Sequence, residues 1–391
     1  APILYLASHM PLRFEDEQVE LPKEMRQQLA ARIERLPEPT DPRLRRRQAT
    51  ADDEGGEALP LNDVFAAQVK RYIDLGGTLL TAADDNNRNF TRSIEMLMKR
   101  LYPDYEYKPI DPEDPVYNIV FPVHGRRAPL RSVHNGIRHL AIHSDRDLSW
   151  VLHSNTQRDP SLWQFMANLY YYATEKGDIR PKLDQHFEPR DPDVKPRRTV
   201  HVARVRHGGN WNPEPLAWER QGVFMHNDAA TDVQVQVVDM ADLADAKVSF
   251  AHVVGTGDVE FTAGQVEALK AFAGKGGVVL LESAGGGRDF ADAAASMVRQ
   301  AYGDRRLLPI KLDHATMTGD DIAAGYDCTE IDFRTFATQR MGRMNTPRLQ
   351  SMPVDDEPRI IVSYEDLTEG VLNQPVWGVF GYSPEWSRKL L

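Results

Sequence analysis

Four side chains in the second half of this chain could carry out acyl transfer: Ser283 as nucleophile, His314 as base, and Asp313 or Glu282 to orient it. A serine in a turn just before a helix N-terminus gains from the aligned backbone N–H groups there. The turn lacks a Gly-x-Ser-x-Gly pattern, and the alternative is that Glu282 and Ser283 only cap and hydrogen-bond it. Asn210, Trp211, Glu282, Ser283, Asp313 and His314 together make a candidate ligand set that mixes donors, acceptors and one aromatic face. Such a mixture suits a neutral sugar or polyol; Trp211 could instead be a lid packed over a helix start. Gly285-Gly286-Gly287 could cradle a phosphate at a helix N-terminus, but no Walker lysine follows and no cofactor is implied. Asp84, Asp85, Glu113 and Asp114 would offer oxygen ligands to Ca²⁺ or Mg²⁺ if they converge, and are otherwise solvated turn formers. His252, inside an apolar run, is expected to be a core histidine with its hydrogen bonds satisfied.

These residues depend on one local pattern. Val278–Leu281 is a short apolar run, as in a strand buried on both faces. A glycine-rich turn follows, and Asp289 is the expected N-cap of a helix from Phe290 to Tyr302. The pattern occurs twice. Gly76, Arg88, Phe90, Tyr102 and Pro109-Ile110 recur as Gly276, Arg288, Phe290, Tyr302 and Pro309-Ile310, all 200 residues on. Upstream, Phe14, Gln18, Val19 and Glu20 recur 247 residues on, so 247 against 200 marks one insertion of 47 residues in the first copy. The chain is therefore a tandem duplication. Gly76 and Gly276 fit the left-handed residue that ends a helix, and Ala82-Ala83 stands where the second copy has Glu282-Ser283.

The expected division is a first copy at 1–176, a Pro- and charge-rich linker at 177–198, and a second copy at 199–391. Ala1–Leu6 corresponds to Val248–Val253, in mid-domain, so the first copy is expected to be N-terminally incomplete. It would lack the strand and helix that His201–Asn227 supply, leaving an open sheet edge that a protein partner could cover. The insertion, about 21–67, holds an amphipathic stretch, Lys23–Leu36, and a charged one, Pro37–Pro60. It is either a loose surface excursion or a partner-docking arm. In the second copy Asn212 is the expected N-cap before Pro213, and Thr262-x-x-Gln265 is a capping box. Strands alternating with helices imply an α/β fold with mainly parallel sheets and helices on both faces.

A length of 391 residues suits two domains that each bury a core. The formal charge of −11 argues against a nucleic-acid partner. A single cysteine, Cys328, excludes intrachain disulfides and a cysteine-rich metal site. No apolar run nears the roughly 20 residues of a membrane span.

The segment Phe250–Ser283, with Gly208–Pro213, Gly276-Gly277, Asp313-His314, Ser363-x-x-Asp366-Leu367 and Gly378-x-x-Gly381-Tyr382-Ser383-Pro384, resembles a known family. It is similar to the domain of unknown function 4159, within the class I glutamine amidotransferase-like, ThuA-like superfamily. The resemblance covers the second copy almost throughout, and the first apart from the insertion. It implies two flavodoxin-like three-layer α/β/α domains and, because relatives are often attached to exported bacterial proteins, a periplasmic or exported setting. Amidotransferases of the superfamily carry a nucleophilic cysteine at the strand-to-helix elbow. Here the elbow has Glu282-Ser283 or Ala82-Ala83, so glutaminase activity is not expected. The expected role is a noncatalytic binding or scaffolding protein of an exported bacterial assembly. The alternative is a hydrolase acting on a carbohydrate or ester through Ser283 and His314.

Overall fold

A computed structural model describes residues 3–10, 12–14, 59–61, 63–125, 128–154, 160–177, 188–303, 305–320, 322 and 325–391. The stretches expected at Lys23–Leu36 and Pro37–58 of the insertion lie outside the described residues. The first copy contributes β1 (Ile3–Ser8), β2 (Leu12–Phe14), β3 (Leu59–Leu61), β4 (Thr78–Ala83), β5 (Tyr107–Pro109), β6 (Leu130–His134) and β7 (His139–Ser144). The second contributes β8 (Arg198–Arg206), β9 (Thr231–Asp239), β10 (Phe250–Gly255), β11 (Val278–Ser283), β12 (Leu308–Pro309), β13 (Leu349–Val354) and β14 (Glu357–Ser363).

Among the described residues, apart from the two-stranded pair β2-β3, these strands form two largely parallel sheets with helices on both sides. One has the order β1-β4-β7-β6-β5 and the other β12-β13-β14-β11-β10-β8-β9. The 200-residue spacing holds through strand, turn and helix. β4 and its helix Arg88–Leu101 are matched by β11 and the helix Arg288–Tyr302. Strand register agrees too, since Ile3 pairs with Thr78 as Phe250 pairs with Val278. Gly76 and Gly276 have φ of +99° and +92°, the left-handed region expected of them. The smaller sheet has no counterpart of β8 and β9, so among the described residues β1 bonds to β4 alone.

Two helix starts differ from the sequence reading. The helix expected to be capped by Asp289 begins at Arg288 after an extended Gly287, with no side-chain cap. In the first copy Asn87 holds the same position and its side chain accepts from Asn89 and Phe90 N–H. The helix expected to follow Asn212 begins only at Ala217. The reason is tertiary: Pro213 and Glu214 are drawn into contacts with the first copy. The Thr262–Gln265 capping box forms as expected.

Each sheet has its own core, one around Leu79, Phe90, Ile94 and Leu97, the other around Val253, Leu281, Phe290 and Met297. A third cluster belongs to both copies, with Leu80, Ile142, Phe165 and Tyr172 packed with Val254, Ala284, Val376 and Trp377. Each fully buried side chain of this size contributes about 1.5–3 kcal/mol, so the copies share apolar stabilisation as well as a chain. They stack in one direction. The amino ends of β4 and β7 face the carboxyl ends of β8, β10 and β11, through Gly77, Asn135 and Arg138 on one side and Asn210, Glu214 and Thr256 on the other.

Candidate functional site

Strands β8, β10, β11, β14 and β12 run in one direction, so their exit turns open at one edge, where α/β folds bind ligands. In this chain much of that edge is covered by the turn between β6 and β7 of the first copy. Asn135 Oδ1 accepts from the N–H groups of Ile137 and Arg138, shaping the turn. Its Nδ2 donates to Pro213 O at 2.9 Å and Glu214 Oε1 at 2.7 Å.

Arg138 is the centre of the contact. Its guanidinium grips Glu214 with two bonds, Nε to Oε1 at 2.9 Å and Nη2 to Oε2 at 3.1 Å. The remaining donors reach Gly77 O at 2.9 Å and Ile73 O at 2.7 Å. Both side chains have no solvent exposure. A planar guanidinium fits a carboxylate in this forked way, and the bonds are charge-assisted. Glu369 Oε2 lies 3.6 Å from Arg138 Nε, yet neither of its oxygens accepts a hydrogen bond. Burial first, then the nearby Glu214 charge, pushes Glu369 well above the usual carboxylate range.

Behind this layer, Glu282 at the end of β11 is also fully buried. Its carboxylate accepts from His252 Nε2 at 2.7 Å, Leu367 N at 2.9 Å, and Thr368 N and Oγ1, both at 2.7 Å. Burial alone would raise it, but His252 and Thr368 hold it below the usual carboxylate range. His252 Nδ1 faces two donors, Trp218 Nε1 at 3.0 Å and Arg204 Nη1 at 2.8 Å. The imidazole is therefore neutral, with its proton on Nε2, and burial lowers its affinity for a second one. This is the satisfied core histidine expected from the strand.

The glycine turn is occupied by the protein itself. Gly285 N donates to Asp366 Oδ2 at 2.8 Å, and Phe380 N donates to Gly285 O at 3.0 Å. A Cβ on Gly286 would stand 2.1 Å from Phe380 O, so no other residue fits there. Ser283 is buried and its hydroxyl donates to Gly287 O.

The sequence-derived candidates divide accordingly. Glu282 and Ser283 sit together at the end of β11. Asn210 is at the same edge, its Nδ2 donating to Asn135 O and Thr256 Oγ1 and its Oδ1 accepting from Tyr105. Trp211, beside it, is partly exposed. Asp313 and His314 follow β12, three strand positions from β11, about 14 Å at roughly 4.8 Å per strand. His314 Nδ1 accepts from Thr316 N and caps the short helix Ala315–Thr318. Its counterpart Asp114 caps Pro115–Asn118 and pairs with His139 at 3.1 Å. The same three positions separate Glu113 and Asp114 from Asp84 and Asp85, so the two acidic pairs do not converge. Asp84 accepts from Ser149 instead, and the Asp85 N–H donates to Asp147. Among the described residues no group of three or more His, Cys, Asp or Glu side chains could hold a metal ion.

Sequence reasoning missed Arg138, Glu214 and Glu369 as members of the site. A usable signal existed for their neighbours: Arg204, His252 and Glu282 each interrupt an apolar run on adjacent strands. One pH-sensitive group lies at the rim. Glu365 is buried against Arg348 at 3.0 Å with Oε2 unbonded, and burial pushes its carboxyl up to about 7. Between pH 4.5 and 7 the folded chain keeps a proton that the unfolded chain has lost, so this contribution to stability falls as pH rises through that window. Glu365→Gln should therefore match wild type near pH 5 and exceed it by about 2 kcal/mol at pH 8. Urea unfolding of both proteins at the two pH values checks this.

The family model described as Domain of unknown function (DUF4159) matches residues 54–173 and 201–369, one segment in each copy. No curated protein matches the chain.

Proposed function

The chain belongs to the DUF4159 family, a domain of unknown function, and we propose that it is a noncatalytic scaffold whose two copies act as one rigid body. The observation that carries this reading is the closed carboxyl edge of the second copy. The groups that would greet a sugar there, Asn210, Glu282 and Ser283, spend their hydrogen bonds inside the protein. The hydrolase alternative would need a free Ser283 hydroxyl beside His314, and both are engaged elsewhere. The finer fold label belongs to the same reading. Taken in chain order, the parallel strands β8, β9, β10, β11 and β14 lie in the order 2-1-3-4-5, the flavodoxin-like arrangement. That order supports the amidotransferase-like superfamily. The exported bacterial setting rests on the resemblance alone. A partner strand parallel to β1 would fit the reading, since β10 has β8 at the corresponding side and Leu4 and Tyr5 are exposed.

The test is turnover of p-nitrophenyl esters and glycosides, with calorimetry against a sugar panel. The expected result is no turnover and no binding. Hydrolysis that disappears in Ser283→Ala, or sugar binding that disappears in Trp211→Ala, would overturn the scaffold reading.

A further inference from the structure

The two main sheets end on four strands, β1 and β5 in one, β12 and β9 in the other. β5 and β12 are three and two residues long, and each ends on a proline with no N–H to offer. β9 is built the opposite way. It runs nine residues, Thr231–Asp239, in unbroken register with β8, and among the described residues no strand pairs with its other side. Its middle, Val233–Val238, reads Val-Gln-Val-Gln-Val-Val, without charge, proline or glycine. Gln234–Val237 are exposed, Val235 by 43 % and Val237 by 55 %. Folded proteins seldom leave a long, uncharged, valine-rich edge bare, because it offers a row of free backbone groups to any other strand.

We propose that β9 is a dimerisation edge, which pairs antiparallel with β9 of a second chain across a twofold axis and joins their two large sheets into one. The strand's own pattern supplies the occupant. About an axis perpendicular to the sheet every residue keeps its face, so odd-numbered residues meet odd and even meet even. Centred on Val235, the pairing sets Val233 opposite Val237 of the other chain, Val235 opposite itself and Gln234 opposite Gln236. Apolar side chains meet on one face and amides on the other. Moving the centre to Gln236 would set Val233 against Asp239, and moving it to Gln234 would set Asp232 against Gln236. One register satisfies both faces, and it is a self-complementary one, as a closed twofold contact requires.

Charge agrees with the same register. The acids that flank the valines are each paired within their own chain, Asp232 with Arg190 and Asp239 with Arg206. With Val235 on the axis, Asp232 stands opposite Val238 and Asp239 opposite Thr231 of the other chain, so no carboxylate faces another. The inference goes beyond the scaffold reading, because β9 lies at the side of the second sheet and not at its closed carboxyl edge.

Sedimentation equilibrium of the full chain from about 1 to 100 μM, the range of ordinary micromolar association, is the first measurement. A reversible dimer is expected, weakened at least about tenfold by Val235→Lys, which sets two ammonium groups against each other at the axis. The second measurement reads the register, in a Cys328→Ser background. Val235→Cys should form an interchain disulfide on mild oxidation, because residues directly opposite have Cα atoms about 4.5–5.5 Å apart. Gln234→Cys should not, because its twin lies on the diagonal, about 7–8 Å away. A chain that stays monomeric over that range, a dimer indifferent to Val235→Lys, or cross-linking of Gln234→Cys equal to that of Val235→Cys would overturn the proposal.

Discussion

Arg138→Met should lower the stability of the folded chain by about 3–5 kcal/mol, the cost of stranding a buried charge when its partner is removed. The substitution keeps much of the side-chain volume and takes away the four bonds to Glu214, Gly77 and Ile73. Glu214, with no solvent exposure, would have to bind a proton or draw in water. The second arm of the experiment separates charge from packing. Arg138→Met/Glu214→Gln should be about 1–2 kcal/mol less damaging than Arg138→Met alone, because the stranded charge is gone. Urea unfolding at neutral pH measures both. A single-variant loss under about 1 kcal/mol, or a double variant worse than the single, would mean that apolar contacts hold the copies together and the ionic layer does not.

Glu282→Gln should have the next largest effect, a loss of about 3 kcal/mol. The carboxylate accepts from four donors at once, and an amide can accept at only one of its two ends. Either the Leu367 and Thr368 N–H groups at Oε1, or His252 Nε2 and the Thr368 hydroxyl at Oε2, must then face an NH₂. The pH dependence identifies the cause. Glu282 ionises below the usual carboxylate range in the folded chain, so its contribution is complete above about pH 4.3 and is lost as pH falls through the folded value. The gap between wild type and variant should be constant from pH 5 to 7 and narrow below pH 4. A gap that stays fixed down to pH 3 would place the cost in altered packing.

The duplication was legible because both copies kept the residues that backbone geometry demands. Gly76 and Gly276 end helices with positive φ, and the apolar runs after them form strands that are buried almost throughout. The site was legible only in fragments. Glu282 and His252 stand out as polar breaks in apolar strands, but their bond links residues 30 apart. Arg138 and Glu214 carry no such mark. Each lies in a turn, where charged residues are ordinary, and their pairing depends on how one copy stacks on the other. The same stacking overrode a local signal. Asn212-Pro213 has the chemistry of a helix start, but the loop instead runs on to present Glu214 to Arg138, and the helix waits until Ala217.

The one-directional stacking also bears on polymerisation. Units related by translation offer the same contact at each end, and in principle such a series grows into a fibre. The hairpin of the second copy that corresponds to Asn135–Arg138 reads Val354, Asp355, Asp356 and Glu357. A third unit added in sequence would bring those acids against Asp84, Asp85 and Asp147 at the carboxyl end of the first sheet. Like charges would meet where the internal joint has an arginine and its carboxylates, which opposes adding a third unit in the same way.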